Sequence, residues 1–168
     1  MKNVIVGQSG GPTSVINSSL LGVFKTAKDR GADVVYGMVH GIKGLLDRDV
    51  VDLSTQIKND LDMDLLKRTP SSFLGSCRYK LPAIKGNEQT YDKIFEILKE
   101  LDIFAFFYIG GNDSMDTIDK LSTYGKLIKS PIRFMGCPKT IDNDLAITDH
   151  TPGYGSAAKY IAATTKEI

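Results

Sequence analysis

Between Pro138 and Asp144 the chain reads Pro-Lys-Thr-Ile-Asp-Asn-Asp. Two carboxylates two positions apart, with a lysine and a hydroxyl just before them, are costly in a plain turn, whose alternative is an Asx-turn cluster with solvated charge. Together they suit phosphoryl transfer. A carboxylate can take the proton of an attacking hydroxyl, and a lysine can neutralise charge on the migrating group. A carboxyl of ordinary acidity, pKa ~3.9, is a weak base. It suffices where the proton moves late and the geometry is preset. Three further segments suit the same chemistry. Gly7-Gln8-Ser9-Gly10-Gly11-Pro12 and Gly110-Gly111-Asn112-Asp113-Ser114 join small residues to a helix start. Small residues let a phosphate approach the backbone, and a helix N-terminus offers free N–H groups and a positive dipole end. The first segment lacks the third glycine of the dinucleotide fingerprint and the Gly-Lys-Ser/Thr of a Walker A loop, so alone it serves packing equally well. In the second, Asp113 is either a helix N-cap or a carboxylate that repels or replaces a ligand phosphate, or that holds Mg²⁺. In the third, Phe73 to Tyr79, Arg78 follows two small residues and its guanidinium can reach a phosphate. Read alone, a surface arginine fits that position too.

These segments need a scaffold, and the pattern supplies one. Asn3 to Val6 reads as a buried strand ending in the first glycine cluster. Ile16, Leu20, Val23, Phe24 and Ala27 then fall on one face of a helix, with Thr13 or Ser14 as its cap and Gly31 as its stop. Asp33 to Met38 is a second strand, followed by a glycine-punctuated loop, His40 to Gly44. Val50 to Leu53 reads as a short strand, and residues 58 to 67 as a weak helix. Tyr91, Ile94, Phe95, Leu98 and Leu101 form a helical face. Phe104 to Ile109 is continuously apolar, as a strand covered on both sides should be. Met115, Ile118 and Leu121 mark the next helix, and Ile132 to Cys137 a strand. Thr151-Pro152 reads as a cap and first turn before a helix carrying Tyr154, Ala157, Ala158, Ile161 and Ala162. Strands alternating with helices over short connections predict a parallel sheet in an α/β layer fold. Its ligands gather at the carboxyl ends of the strands, where three of these loops lie.

Composition narrows the classes. The 168 residues carry 21 Lys+Arg against 20 Asp+Glu, a formal net charge of +1. That leaves no basic field for a nucleic-acid partner. Apolar residues at 42% and charged residues at 24% are globular proportions. No apolar run approaches the ~18 residues of a membrane span, and the first residues do not form a secretory signal. Cys77 and Cys137 stand far apart in no ligand spacing, which argues for a reducing, cytoplasmic setting and against a disulfide or zinc framework. His40 and His150 read as structural or solvated. Cys77, beside Arg78, reads either as an activated thiol or as a quiet buried one.

Four stretches together carry a resemblance. They are Ser9-Gly10-Gly11 with Asn17, Leu74-Gly75-Ser76-Cys77-Arg78, the Gly110-to-Ser114 loop and the Pro138-to-Asp144 run. Their order and approximate spacing are similar to those of the 6-phosphofructokinases, over essentially the whole chain. The Thr-Ile-Asp-Asn-Asp run is the most specific of the four. The resemblance implies a three-layer Rossmann-like parallel sheet with helices on both faces. It also implies Mg²⁺-dependent phosphoryl transfer to the 1-hydroxyl of fructose 6-phosphate, a glycolytic step, by a protein that forms homo-oligomers. Residues 1–168 then correspond to an N-terminal, donor-binding domain, with most of the substrate domain missing. Asp142 matches the general base. Thr140 and Ile141 match sugar-holding neighbours, and Asp144 an acidic residue beside the metal. Arg78 matches an arginine between donor and acceptor phosphates. Gly11 matches a donor-phosphate contact, with Gly10, Gly111, Asp113 and Ser114 around it. The family's metal-linked aspartate aligns with Asn112, whose amide oxygen can coordinate Mg²⁺ without charge.

Three positions bear on the phosphoryl donor. Asp113 and Lys139 stand where ATP-using members have glycines, and pyrophosphate-using members are similar to this chain at both. Ile42 stands where ATP-using members often place a tyrosine against adenine. The resemblance therefore implies pyrophosphate as donor, with Asp113 excluding the ATP α-phosphate by repulsion and Lys139 supplying lost stabilisation. An ATP-dependent member of the family and a non-catalytic phosphate-binding subunit are the alternatives.

Overall fold

The computed structural model describes residues 3–168. Five strands form one sheet in the order β3-β2-β1-β4-β5: β1 Asn3–Gln8, β2 Val35–Met38, β3 Val50–Asp52, β4 Ile103–Gly110 and β5 Arg133–Pro138. Six helices accompany them: α1 Ile16–Asp29, α2 Gly41–Leu46, α3 Asp60–Arg68, α4 Glu88–Glu100, α5 Asn112–Leu127 and α6 Tyr154–Glu167. Pairings β1–β2, β1–β4 and β4–β5 are parallel. The edge pair β2–β3 is antiparallel, which departs from the all-parallel expectation. A parallel return needs a crossover of a dozen or more residues, and residues 39–49 supply only a short helix that turns the chain back.

Strand alternation builds the two outer layers. Val4, Val6, Ala105 and Ile109 pack with Ile16, Leu20 and Phe24 of α1 and Leu66 of α3. Ile5, Phe106 and Tyr108 point to the other face, against Leu45 of α2, Ile94 and Leu98 of α4 and Leu121 of α5. The chain is thus a three-layer α/β fold. A register shift beside Asn3 and Val4 moves Ile103 and Phe104 to the faces opposite those that later residues of their parity occupy, as a bulge must.

Local signals met mixed outcomes. Gly31 ends α1 with φ +79°; its N–H reaches the Lys28 carbonyl and the Ala32 N–H the Ala27 carbonyl, a Schellman closure. The cap of α1 is Val15 with no side-chain bond, so neither Thr13 nor Ser14 caps it. Residues 41–46, expected as loop, are α2. The cap position of α6 is Gly153 at φ +105°, and Thr151 instead donates its hydroxyl to the Thr140 carbonyl. Asp113 is not the cap of α5 either. Gly111 is, and Asp113 sits in the first turn.

Candidate active site

The strand order reverses between β1 and β4, because β2 and β3 build outward on one side and β5 on the other. Ligands in open α/β sheets bind in the crevice at such a switch point. A cleft of about 720 Å³ opens there, at the carboxyl ends of β1, β4 and β5. Gly10, Gly11, Arg78, Gly111, Asn112, Asp113, Ser114, Lys139, Thr140, Ile141 and Asp142 all line it. Of the site residues expected from sequence, Asp144 alone is not in the lining. It accepts a hydrogen bond from the Asn112 amide at 2.8 Å.

The first wall is the turn after β1. Gly10 has φ +75°, a left-handed conformation that favours glycine. Residues 76–77 are sewn to this turn: Gly10 N–H reaches the Cys77 carbonyl at 3.4 Å, and the Ser76 hydroxyl donates to the Gly10 carbonyl. Behind them lies a buried amide pair. Gln8 Nε2 donates to the Ile16 carbonyl and to Asn17 Oδ1, and Gln8 Oε1 accepts from Ser72 Oγ and from the Leu74 N–H at 2.8 Å. Asn17 donates to the Thr69 carbonyl and accepts from the Phe73 N–H. This network fixes the 69–75 segment and so the approach of Arg78. Arg78 itself is exposed. Cys77 lines the cleft with Sγ 3.8 Å from Tyr108 Oη.

The second wall is the start of α5. A Cβ at Gly110 would lie 2.0 Å from Ser114 Oγ and 3.1 Å from the Ser9 carbonyl oxygen, so no side chain fits. Ser114 is buried at the base of the cleft. Asp113 is exposed and pairs with Lys80 at 3.1 Å, so an ion pair spans the mouth from the 76–80 segment to α5. Lys80 was missed from sequence. Its position two after Arg78 was the available signal, and a lone lysine in a loop carries little.

The third wall follows β5. Lys139 is only 3% exposed. Its ammonium donates to the Gly11 carbonyl, which ties the turn after β1 to the end of β5. Burial pulls its pKa below the ordinary lysine value, and the Asp142 carboxylate opposes that shift. Thr140 Oγ1 accepts the Asp142 N–H at 3.0 Å, holding the carboxylate-bearing turn. Thr140 is held in turn, since its N–H reaches the Pro152 carbonyl. Asn143 (φ +55°) donates to the Asp149 carbonyl and accepts the Thr151 N–H, closing the loop. Asp142 is exposed to the cleft.

Ile42 does not face this cleft. It is fully buried in the core, with its N–H donated to Tyr108 Oη at 3.3 Å. Burial pushes the Tyr108 phenol well above its usual range, so it stays a neutral strut under the site. His40 lies at the start of α2 in left-handed conformation. Among the described residues no cluster of three or more His, Cys, Asp and Glu side chains forms a metal cage. Asn112 turns its NH₂ to Asp144 Oδ2, which leaves Asn112 Oδ1 and Asp144 Oδ1 as oxygen ligands. One carboxylate and an amide oxygen fit an Mg²⁺ that takes most of its remaining ligands from phosphates and water.

A cleft that gathers glycine backbone, a helix N-terminus, three cations and a positioned carboxylate has the chemistry to receive phosphoryl groups. The family model for phosphofructokinase matches residues 3–168. The chain belongs to the phosphofructokinase family. It is 46% identical over 160 residues to a pyrophosphate–fructose 6-phosphate 1-phosphotransferase of Rhodospirillum rubrum, covering 95% of this chain and 38% of that protein. The crystal structure of a pyrophosphate-dependent phosphofructokinase from Nitrosospira multiformis superposes with a TM-score of 0.90 at 43% identity, covering 99% of this chain and 40% of that one. An ATP-dependent 6-phosphofructokinase of Lactobacillus helveticus is 33% identical over 159 residues, 95% of this chain and 45% of that protein. The chain therefore spans less than half the length of the curated relatives it matches.

Proposed function

We propose that this chain forms the phosphoryl-donor half of an enzyme that moves a phosphoryl group from pyrophosphate to the 1-hydroxyl of fructose 6-phosphate. The observation that carries the reading is the pair of side chains that line the cleft at Asp113 and Lys139, positions where the resemblance implies glycine in ATP-using members. Lys139 reaches across the floor of the cleft to Gly11, and Asp113 stands at its mouth bound to Lys80. A donor that continued beyond its second phosphate would meet this carboxylate, whereas pyrophosphate ends short of it. The names of the relatives at 42–46% identity support the same donor.

Asp142 takes the proton of the sugar 1-hydroxyl as its oxygen bonds to the transferring phosphorus. The bridging P–O bond breaks, and orthophosphate leaves. Lys139, and Arg78 once donor and acceptor are bound, offset the charge that the moving group spreads over its oxygens. Gly10, Gly11 and Gly111 let backbone approach the donor, and Ser114 supports the α5 end. Thr140 and Ile141 flank the sugar. Asp144 and Asn112 would hold Mg²⁺, which when bound would supply charge neutralisation on the donor. With no nucleotide involved, the transfer is nearly thermoneutral and runs in both directions. Residues 1–168 are the donor domain. The sugar-phosphate grip comes from further residues, and the working protein is a cytoplasmic homo-oligomer.

The test is a donor comparison with the full-length protein, fructose 6-phosphate and Mg²⁺. Fructose 1,6-bisphosphate and orthophosphate should form together with pyrophosphate, and the reverse reaction should proceed from those products. Turnover with ATP alone would refute the donor assignment.

A further inference from the structure

Thr13 lies between β1 and α1, in the cleft wall that also holds Gly11, Lys139 and Thr140. It is 9% exposed. Among the described residues its Oγ1 is the one buried side-chain polar atom without a hydrogen-bond partner. Such a group costs free energy that an apolar isostere would avoid, and it calls for an explanation. Helix capping is not the explanation, because Val15 occupies that position. Packing explains only half the side chain. A Cβ at Gly153 would lie 3.3 Å from Thr13 Cβ and 3.4 Å from Cγ2, so the backbone at Gly153 seats the methyl branch. A valine would fill that seat equally well. The hydroxyl is the other branch, buried in a residue that lines the same cleft as Gly11, Arg78 and Lys139.

We propose that Thr13 is a further donor-binding residue, whose Oγ1–H completes its hydrogen bonding on a phosphoryl oxygen of the bound donor. The inference rests on the phosphate-donor reading of the cleft given above. Oγ1 is shielded from solvent in the ligand-free chain, so donor binding has to turn or uncover it. The unpaired group in the ligand-free chain is then a site held ready, stabilised only when phosphate arrives.

The experiment compares the full-length wild type, Thr13→Val and Thr13→Ser by calorimetric titration with magnesium pyrophosphate and by thermal unfolding without ligand. Thr13→Val should bind pyrophosphate ~10-fold or more weakly, as loss of a hydrogen bond to a charged oxygen implies. Its ligand-free Tm should equal or exceed that of the wild type, by up to ~2–4 °C, because an unpaired buried hydroxyl has been removed. Thr13→Ser should keep most of the affinity. Wild-type affinity in Thr13→Val overturns the proposal. So does a lower ligand-free Tm in Thr13→Val that Thr13→Ser restores, since the hydroxyl would then have a structural partner. If the wild type ignores pyrophosphate but takes ATP, the donor reading fails and the same comparison with ATP decides Thr13. If it takes neither, nor inorganic phosphate, both fall.

Discussion

Replacing Lys80 by Met tests what the ion pair at the cleft mouth does. Lys80 and Asp113 lie 3.1 Å apart with side chains 75% and 70% exposed. A pair this open adds at most ~1 kcal/mol to folding, and often nothing. Thermal stability should therefore hardly change. The larger consequence is electrostatic. Without Lys80 the Asp113 carboxylate faces an incoming polyanion uncompensated. At ~5–8 Å, with an effective dielectric between the surface value of ~20 and water, one carboxylate against one phosphate charge costs roughly 0.5–3 kcal/mol. That is a rise of roughly 2- to 150-fold in the KM for pyrophosphate, with kcat little altered. Salt should shrink the effect, since charges at this separation are screened as the Debye length falls from ~10 Å at 0.1 M to ~3 Å at 1 M. The decisive variant is Lys80→Met with Asp113→Asn in the full-length protein. It should recover most of the lost affinity, because the charge that Lys80 masks is gone. If the double variant is as weak as Lys80→Met, Lys80 grips phosphate directly and the reasoning fails.

Asp142→Asn should lower kcat by about 10²–10⁴, the usual worth of a general base, with donor binding by calorimetry preserved; an unchanged kcat would contradict its role. Gln8→Leu strips the Leu74 N–H of its acceptor and the Ile16 carbonyl and Asn17 Oδ1 of a donor, and should cost ~2–3 kcal/mol, or ~5–10 °C in Tm for a domain of this size; a shift under ~1 °C would show the network to be dispensable. For Lys139 the pH trends oppose one another. Its folded pKa is depressed, so between that value and the unfolded ~10.4 the unfolded chain binds more protons and stability rises with pH. Over the same window the cation that holds phosphate is lost, so kcat/KM for pyrophosphate should fall at a lower pH than an ordinary lysine would dictate. Lys139→Met should abolish that limb, and its persistence would assign it elsewhere.

Much of this was legible in the residues. The apolar run of β4 and the 3.6-residue faces of α1, α4 and α5 read directly, because each buries a continuous surface. The three glycine and acidic loops fell at strand ends, where the sheet brings them together. Glycine misled at α2. Gly41 and Gly44 look like loop punctuation, yet a Cβ at Gly41 would lie 2.6 Å from Tyr108 Oη and one at Gly44 1.5 Å from the Val39 carbonyl oxygen. Close approach demands both, and Gly41 has in addition a left-handed φ of +61°. Hydroxyls misled at Thr13 and Thr151, which have the residue types of caps: Thr151 bonds the distant Thr140 carbonyl, and the Thr13 hydroxyl is buried without a partner, neither of which a local pattern encodes. The partners of Asp113 and Lys139, namely Lys80 and the Gly11 carbonyl, come from distant segments and emerge only once the sheet is assembled. The antiparallel β3 likewise follows from a connection too short to cross over.

The account stands on two side chains choosing the donor. Its most direct test is the ratio of kcat/KM for ATP to that for pyrophosphate in the full-length protein carrying Asp113→Gly with Lys139→Gly. The account predicts that pyrophosphate use collapses while ATP use emerges or rises, moving the ratio toward ATP by orders of magnitude. A ratio that stays where the unaltered protein has it would contradict the claim.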